Sequence, residues 1–218
     1  MKPRCSNQGN QALTLVEVLL VITILAVLAT VFLPVLAKDR RRTKRINCVN
    51  HLHQIGLAFT VWPGYQAPDF PMQISAAQGG AKEPAANGNV AAIFQVMSNE
   101  LTTPKILICT ADTNRSAATN FSSDFGNKNV SYFVGVDAAD DDPQRILSGD
   151  DNISVSGNQV QSGLLELLTN TPVSWTAARH RLAGNILFAD GSVQPTTSSN
   201  LWRLFRQTGL VTNRLAIP

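Results

Sequence analysis

Gln11-Ala12-Leu13-Thr14-Leu15-Val16-Glu17-Val18-Leu19-Leu20-Val21-Ile22 opens an apolar run that continues to Ala37 without another charge. From Val18 onward its only interruptions are Thr23, Thr30 and Pro34. Those 20 residues, at about 1.5 Å each, give roughly 30 Å, the thickness of a bilayer core. Apolar side chains cover the whole circumference, which excludes an amphipathic surface helix. A carboxylate in hydrocarbon costs about 2.5 kcal/mol or more at the helix centre and less near the interface. Glu17 therefore calls for a partner.

A cleaved secretory signal has an apolar core of about 7–15 residues, a small-x-small cut and polar sequence after it. This run is longer, and Lys38-Asp39-Arg40-Arg41-Arg42 follows it. A plain membrane anchor explains the length but not Glu17. The stretch from Gln11 to Ile22 instead resembles the class III signal of type IV pilins and type II secretion pseudopilins. The resemblance implies that a prepilin peptidase/methyltransferase cuts between Ala12 and Leu13 and methylates the new amine. Glu17 then becomes the fifth mature residue. Ala12 and Leu13 stand where that family usually has Gly and Phe. Pro34 falls where pilins commonly carry a helix-breaking proline. The resemblance also supplies the partner: Glu17 meets the N-terminal amine of a neighbouring subunit. Opposite charges in low dielectric attract far more strongly than in water. Such a pair sets register more than it adds stability.

The charges argue differently. Lys38, Arg40, Arg41, Arg42, Lys44 and Arg45 follow the apolar run, against Lys2 and Arg4 before it. The positive-inside rule alone places the C-terminal body in the cytoplasm. The resemblance places the N-terminus there, with a single pass through the bacterial inner membrane. The head is then periplasmic, or extracellular in a filament. The basic run reads as a solvated or lipid-headgroup-facing turn. Without interleaved aromatics it gives no reason to expect nucleic acid as a partner.

Beyond the run, Ile46, Val49, Leu52, Ile55 (or Gly56) and Phe59 recur at helical spacing and form an amphipathic stripe. A helix from about Leu13 to Thr60 is expected, roughly 70 Å long, with a bend at Pro34 and an end at Trp62-Pro63-Gly64. His51 and His53, two apart, do not share a helix face and form no metal pair.

From Ile46 to the end, 10 Lys and Arg face 13 Asp and Glu. The overall net charge of +3 thus belongs to the basic run. Gln66 to Asn87 reads as loop, and Asn89 to Leu101 as a helix capped by Asn87 or Asn89. Lys105–Cys109 and Val130–Val136 read as strands. Asn185–Ala189 and Ser192–Gln194 flank Asp190-Gly191, a hairpin signal. Ser199-Asn200 opens an amphipathic helix through Phe205, with Gly209 after it. The fold class is α+β: a long N-terminal transmembrane-plus-amphipathic helix packed on a small antiparallel sheet. The expected division is leader 1–12, transmembrane helix 13–37, helix continuation 38–60 and pilin-like head 61–218.

A second resemblance lies in the head. His180, nine residues, then Asp190-Gly191 is similar to the H-x9-DG signature of a pilin-like family of secretion proteins. Asn47-Cys48, Gln54-Ile55-Gly56-Leu57-Ala58, Cys109-Thr110-Ala111-Asp112, Asn129-Val130-Ser131-Tyr132 and Leu147-Ser148-Gly149-Asp150 add to it. It implies a pseudopilin-like fold. His180 reads as a packed, hydrogen-bonded residue and Asp190-Gly191 as a turn. No nucleophile elbow, catalytic carboxylate pair or phosphate loop accompanies them. Asp140, Asp142, Asp150 and Asp151 are hard-oxygen candidates for calcium, the one cofactor in view, although their spacing fits no EF-hand. Cys5 lies in the leader. Cys48 and Cys109 are either a disulfide tying helix to head or two buried thiols.

The expected function is structural and not enzymatic: a pseudopilin or minor pilin of a type II secretion or type IV pilus-like filament. Its partners are other pilin or pseudopilin subunits, the peptidase and the inner membrane. The alternative is a membrane-anchored extracytoplasmic module whose Trp62, Tyr65, Trp175 and Trp202 bind a polymer or secreted substrate.

Overall fold

The computed structural model describes residues 14–62, 69–122 and 124–218, leaving out the side chains of residues 31, 34–38 and 41. The chain divides into two compact units, Met1–Arg42 and Thr43–Pro218. Helix α1, Leu15–Val61, contributes to both. It continues through Pro34, so the proline does not end it.

In the first unit every described residue from 14 to 30 is exposed. Leu19, Ile22, Leu25 and Leu28 are among them. Thr23 and Thr30 each return their hydroxyl to a carbonyl three residues back, at 2.7 Å. Their polar groups are thereby satisfied within the helix. Among the described residues no helix is long and apolar enough to cross a membrane. The span expected over 13–37 includes Leu13 and several side chains outside the described residues.

The second unit is built on a six-stranded antiparallel sheet. Its strands are β1 (Tyr132–Gly135), β2 (Ile146–Asp150), β5 (Gly163–Leu168), β7 (Ala183–Phe188), β8 (Val193–Thr197) and β9 (Thr212–Ile217). The order is β5-β9-β1-β2-β7-β8. Strands β3 (Ile153–Val155), β4 (Asn158–Gln159) and β6 (Val173–Trp175) form a second sheet in the order β4-β3-β6. Short helices α2 (Lys82–Ala86), α3 (Val90–Val96) and α4 (Ser98–Leu101) precede the sheets, and α5 (Ser198–Gln207) follows β8.

Side chains alternate across a strand, and here both faces are covered. Tyr132, Val134, Leu147, Leu187 and Ala216 face a core shared with Leu52, Ile55 and Phe59 of α1. Phe133, Ile146, Ile186, Phe188, Leu215 and Ile217 face a core with Trp175, Leu201 and Phe205. The central strands therefore read as apolar runs rather than as alternation. Phe59 meets Phe70 and Phe94 edge-on, with centroids 5.6 and 6.2 Å apart. Gly184 leaves room for an indole: a Cβ there would lie 2.6 Å from the Trp175 ring.

Some elements differ from expectation. Pro104–Leu107 is a 3-10 turn, not the start of a strand; Pro104 opens it and Thr103 Oγ1 accepts the Lys105 N–H. The segment expected as loop contains α2 and a 3-10 turn at Ala76–Gln78. The helix expected over Asn89–Leu101 is divided into α3 and α4, with Asn89 as the cap accepting the Ala92 N–H. On α1 the buried stripe is Cys48, Leu52, Ile55, Phe59 and Trp62, while Ile46 is exposed. The stripe is shifted so that Cys48, and not Ile46, faces inward.

Candidate functional site

Two features carry chemistry, one in each unit. At the start of α1, Glu17 is not alone. Its Oε2 accepts the Thr14 N–H at 2.8 Å and the Thr14 hydroxyl at 2.9 Å. The Glu17 N–H in turn donates to Thr14 Oγ1 at 3.3 Å. Thr14-x-x-Glu17 is thus a reciprocal capping box, satisfying two helix-end donors. The carboxylate is fixed at the positive end of the helix dipole.

The second feature is a buried polar cluster between α1 and the sheet. Cys48 comes from α1, Cys109 from the turn after the 3-10 segment, Asp150 from the end of β2 and His180 from the approach to β7. His180 Nε2 lies 3.3 Å from Cys109 Sγ and 3.8 Å from Asp150 Oδ2. The side chains of His180 and Asp150 are 2% and 0% exposed. Asp150 Oδ2 accepts the Asn185 N–H and side-chain amide at 2.8 and 2.9 Å. Its Oδ1 is buried with no hydrogen-bond partner among the described residues, and so is the Tyr132 hydroxyl. Cys48 Sγ stands 3.6 Å from Thr110 Oγ1, whose hydroxyl donates to the Lys44 carbonyl.

An unusual backbone delivers His180. His180, Arg181 and Leu182 have φ of 47°, 54° and 59°, three successive left-handed residues without a glycine. Non-glycine residues resist this region at roughly 1–2 kcal/mol each. The turn persists because its neighbours are anchored. Arg179 Nη2 pairs with Asp112 at 2.7 Å and Asp151 at 2.5 Å, and its Nη1 donates to the Ser131 carbonyl at 2.9 Å. Arg115 joins Asp151 from the other side.

The electrostatics follow from burial and these partners. Burial pushes the Asp150 carboxyl up to about 6, against the pull of His180. Burial also raises Asp151, and Arg179 and Arg115 only partly offset it. At Asp112 burial is opposed by Arg179, Asn114, Ser131 and Arg115, which together hold its carboxyl below the usual range. The two thiols separate as a coupled pair. The Cys109 thiol hydrogen-bonds the Cys48 sulfur, which lowers the Cys48 pKa and raises that of Cys109.

Against this geometry, residues 7–33 match the family model of the prokaryotic N-terminal methylation motif. The chain carries a prepilin-type signal. No curated protein and no solved structure matches the chain significantly. The signal supports processing by prepilin peptidase and assembly with other pilin subunits. Of its residues, Ala12 and Leu13 lie outside the described residues, as does the Pro34 side chain.

The head candidates separate. Asp190 is exposed and accepts the Ser192 N–H in the turn, where Gly191 has φ 80°. His180 instead reaches the Cys109 thiol, so the two ends of the motif serve different parts of the structure. A Cβ on Gly56 would lie 3.6 Å from the Gly191 backbone, so the Asp190-Gly191 turn sits close on α1. The calcium candidates do not converge. Asp140 is exposed, Asp142 pairs with Arg145 at 2.8 Å, Asp151 holds the two arginines and Asp150 faces His180. Cys48 and Cys109 are buried free thiols. The aromatic platform is not assembled either: Trp175 is buried, its Nε1–H donating to Thr196, while Trp202 lies on the surface with Arg206 over its ring. Tyr65 lies outside the described residues.

Two residues escaped the sequence reading. Arg179 stands in Ala177-Ala178-Arg179-His180-Arg181, with no local sign of burial. Arg45, counted in the basic run, donates to the Gly184 carbonyl at 3.3 Å and to Asn185 at 3.5 Å. The basic run therefore contributes the Arg45 side chain and the Lys44 carbonyl to the head's own structure. A signal for the capping box was present in Thr14-x-x-Glu17.

Proposed function

We propose that this chain is a structural subunit, a pseudopilin or minor pilin, of a type II secretion or type IV pilus-like filament. It is cut between Ala12 and Leu13, methylated on Leu13, held in the bacterial inner membrane by its N-terminal helix and assembled through that helix. The carrying observation is the methylation motif over residues 7–33, whose described residues 14–30 are all exposed, with α1 beginning at Leu15. An apolar surface left uncovered by its own chain requires lipid or other subunits. A non-catalytic role accords with the buried state of the Cys–His–Asp cluster. Its Asp150 faces the same ring nitrogen as Cys109, not the opposite one that a nucleophile-activating triad requires.

In this reading Glu17 has two duties: capping its own helix and pairing with the methylated amine of a neighbour. Two substitutions separate them. Glu17→Ala removes both. Glu17→Gln keeps a side-chain acceptor suited to a capping box but removes the charge. Both variants are expected to be processed normally and to be absent from sheared or cross-linked filaments. Incorporation of Glu17→Gln at the wild-type level would overturn the charge pairing and leave capping as the whole role of Glu17.

A further inference from the structure

We propose that Cys48, Cys109 and His180 form a structural metal site for a borderline-soft divalent ion of the zinc type, with Asp150 as the fourth ligand. Among the described residues these three are the group whose ligand atoms converge, all within 4.8 Å of one another. Zinc–sulfur bonds of about 2.3 Å and zinc–nitrogen bonds of about 2.0 Å place tetrahedral ligands roughly 3.3–3.8 Å apart. Cys109 Sγ and His180 Nε2 are already at 3.3 Å, and Asp150 Oδ2 is 3.8 Å from the same nitrogen. The two edges that meet at His180 Nε2 therefore stand near their final length, and Asp150, outside the group of three that converges within 4.8 Å, completes the set by a small approach to the thiols.

Three further observations point the same way. Asp150 is fully buried, yet its Oδ1 has no hydrogen-bond partner among the described residues. A buried carboxylate with one oxygen lacking a donor is costly, and a cation bound to this carboxylate offsets that cost. Asp150 faces the ring nitrogen that also faces Cys109, which places it in the ligand set rather than behind the imidazole. Asn185 meanwhile holds Oδ2 with two hydrogen bonds, the kind of outer support that orients metal ligands. Two sulfurs, one imidazole and one carboxylate suit zinc and disfavour calcium or magnesium, which take oxygen sets.

The site also has a structural purpose. Cys48 lies on α1, Cys109 after the 3-10 turn, Asp150 on β2 and His180 on the left-handed turn before β7. An ion bound to all four clamps the helix to the sheet, replacing the one covalent tie a Cys48–Cys109 disulfide would make. The two devices exclude each other, because a disulfide leaves no thiolate for the metal.

The test uses the full chain with Cys5→Ser, purified in detergent under reducing, metal-free conditions and titrated with Co2+. One Co2+ per chain is expected, with intense tetrahedral visible bands and a thiolate-to-cobalt band in the near ultraviolet, both abolished by added Zn2+. Asp150→Asn should weaken the metal by roughly tenfold or more, and His180→Ala by more still. Cys48→Ser should reduce the thiolate band by about half at equal occupancy. Because the first readout needs no variant at the site, a failure to fold leaves it intact. Absence of tetrahedral bands in the reduced parent protein overturns the proposal. So does undiminished binding after Cys48 and Cys109 are both changed to Ser. Recovery of Cys48 and Cys109 as a disulfide-linked peptide from protein isolated without reductant overturns it as well.

Discussion

The helix residues from Leu15 to Thr30 and the unit from Thr43 to Pro218 use the same apolar side chains to opposite ends. In the first, leucines, valines and isoleucines stand in the open on every side of the helix. In the second, they close two cores on the two faces of one sheet. Burial of apolar area is the main stabilising term in folding. The second unit draws it from its own chain. The first has nothing described within its reach to draw it from. A region built this way depends on an outside surface, whether lipid or another subunit, and the prepilin-type signal on that region names the kind of surface. The polar residues obey the same division. Glu17 is satisfied at the surface by its own Thr14, whereas Asp112, Asp151 and Arg179 are satisfied deep in the head by one another together with Arg115, Asn114 and Ser131.

The hardest way to break the second unit is through that charge cluster. Arg179 neutralises Asp112 and Asp151 together and holds the Ser131 carbonyl. Removing one member of a buried ion pair leaves an uncompensated charge, at a cost of about 3–5 kcal/mol. Arg179→Ala is therefore expected to lower the denaturation midpoint of the full chain in detergent more than any single truncation in α1. A loss below about 1 kcal/mol, within the range of ordinary hydrogen bonds, would show that Arg115 alone suffices for both carboxylates.

Arg179 also marks where the sequence stops being legible. The N-terminal signal was readable because a local pattern, one carboxylate before an apolar run, carries its own meaning. The stripe of Leu52, Ile55 and Phe59 and the Asp190-Gly191 hairpin were readable for the same reason: period and turn chemistry are local. Lys105–Cys109 misled because an apolar run resembles a strand, while Pro104 and the Thr103 cap commit it to a 3-10 turn. Strands β5 and β9 were missed because their pairing joins Gly163–Leu168 to the last residues of the chain, and no local signal encodes a partner so distant. The buried cluster was half legible. His180, Cys48 and Cys109 each stood out as a residue type. Their meeting depends on three left-handed residues that contain no glycine to announce them.

A milder test of the internal core removes one methyl group. Ile55 is fully buried on α1 between helix and sheet. Ile55→Val typically costs about 0.5–1.5 kcal/mol at such a site. The expected result is a small, measurable drop in the denaturation midpoint with an unchanged slope. No change would mean that the α1–sheet core relaxes around the missing methyl, and would narrow the contrast between the two units.

The smallest expected effect sharpens the comparison most. Leu25 is 58% exposed on the apolar part of α1. Substitutions at such positions usually change stability by no more than about 0.5 kcal/mol. Leu25→Ala should therefore leave the denaturation midpoint of the full chain in detergent unchanged. Its effect belongs elsewhere, because the side chain contacts whatever covers the helix. In the proposed filament it removes apolar area from the contact with a neighbour, and incorporation relative to wild type should fall when both are expressed together. The two readouts are independent. A silent midpoint with reduced incorporation places the stabilising partner of this helix outside the chain. A midpoint lowered as much as by Ile55→Val would mean that Leu25 is covered by its own chain in solution, and the division between an outward-facing helix and a self-sufficient head would fail.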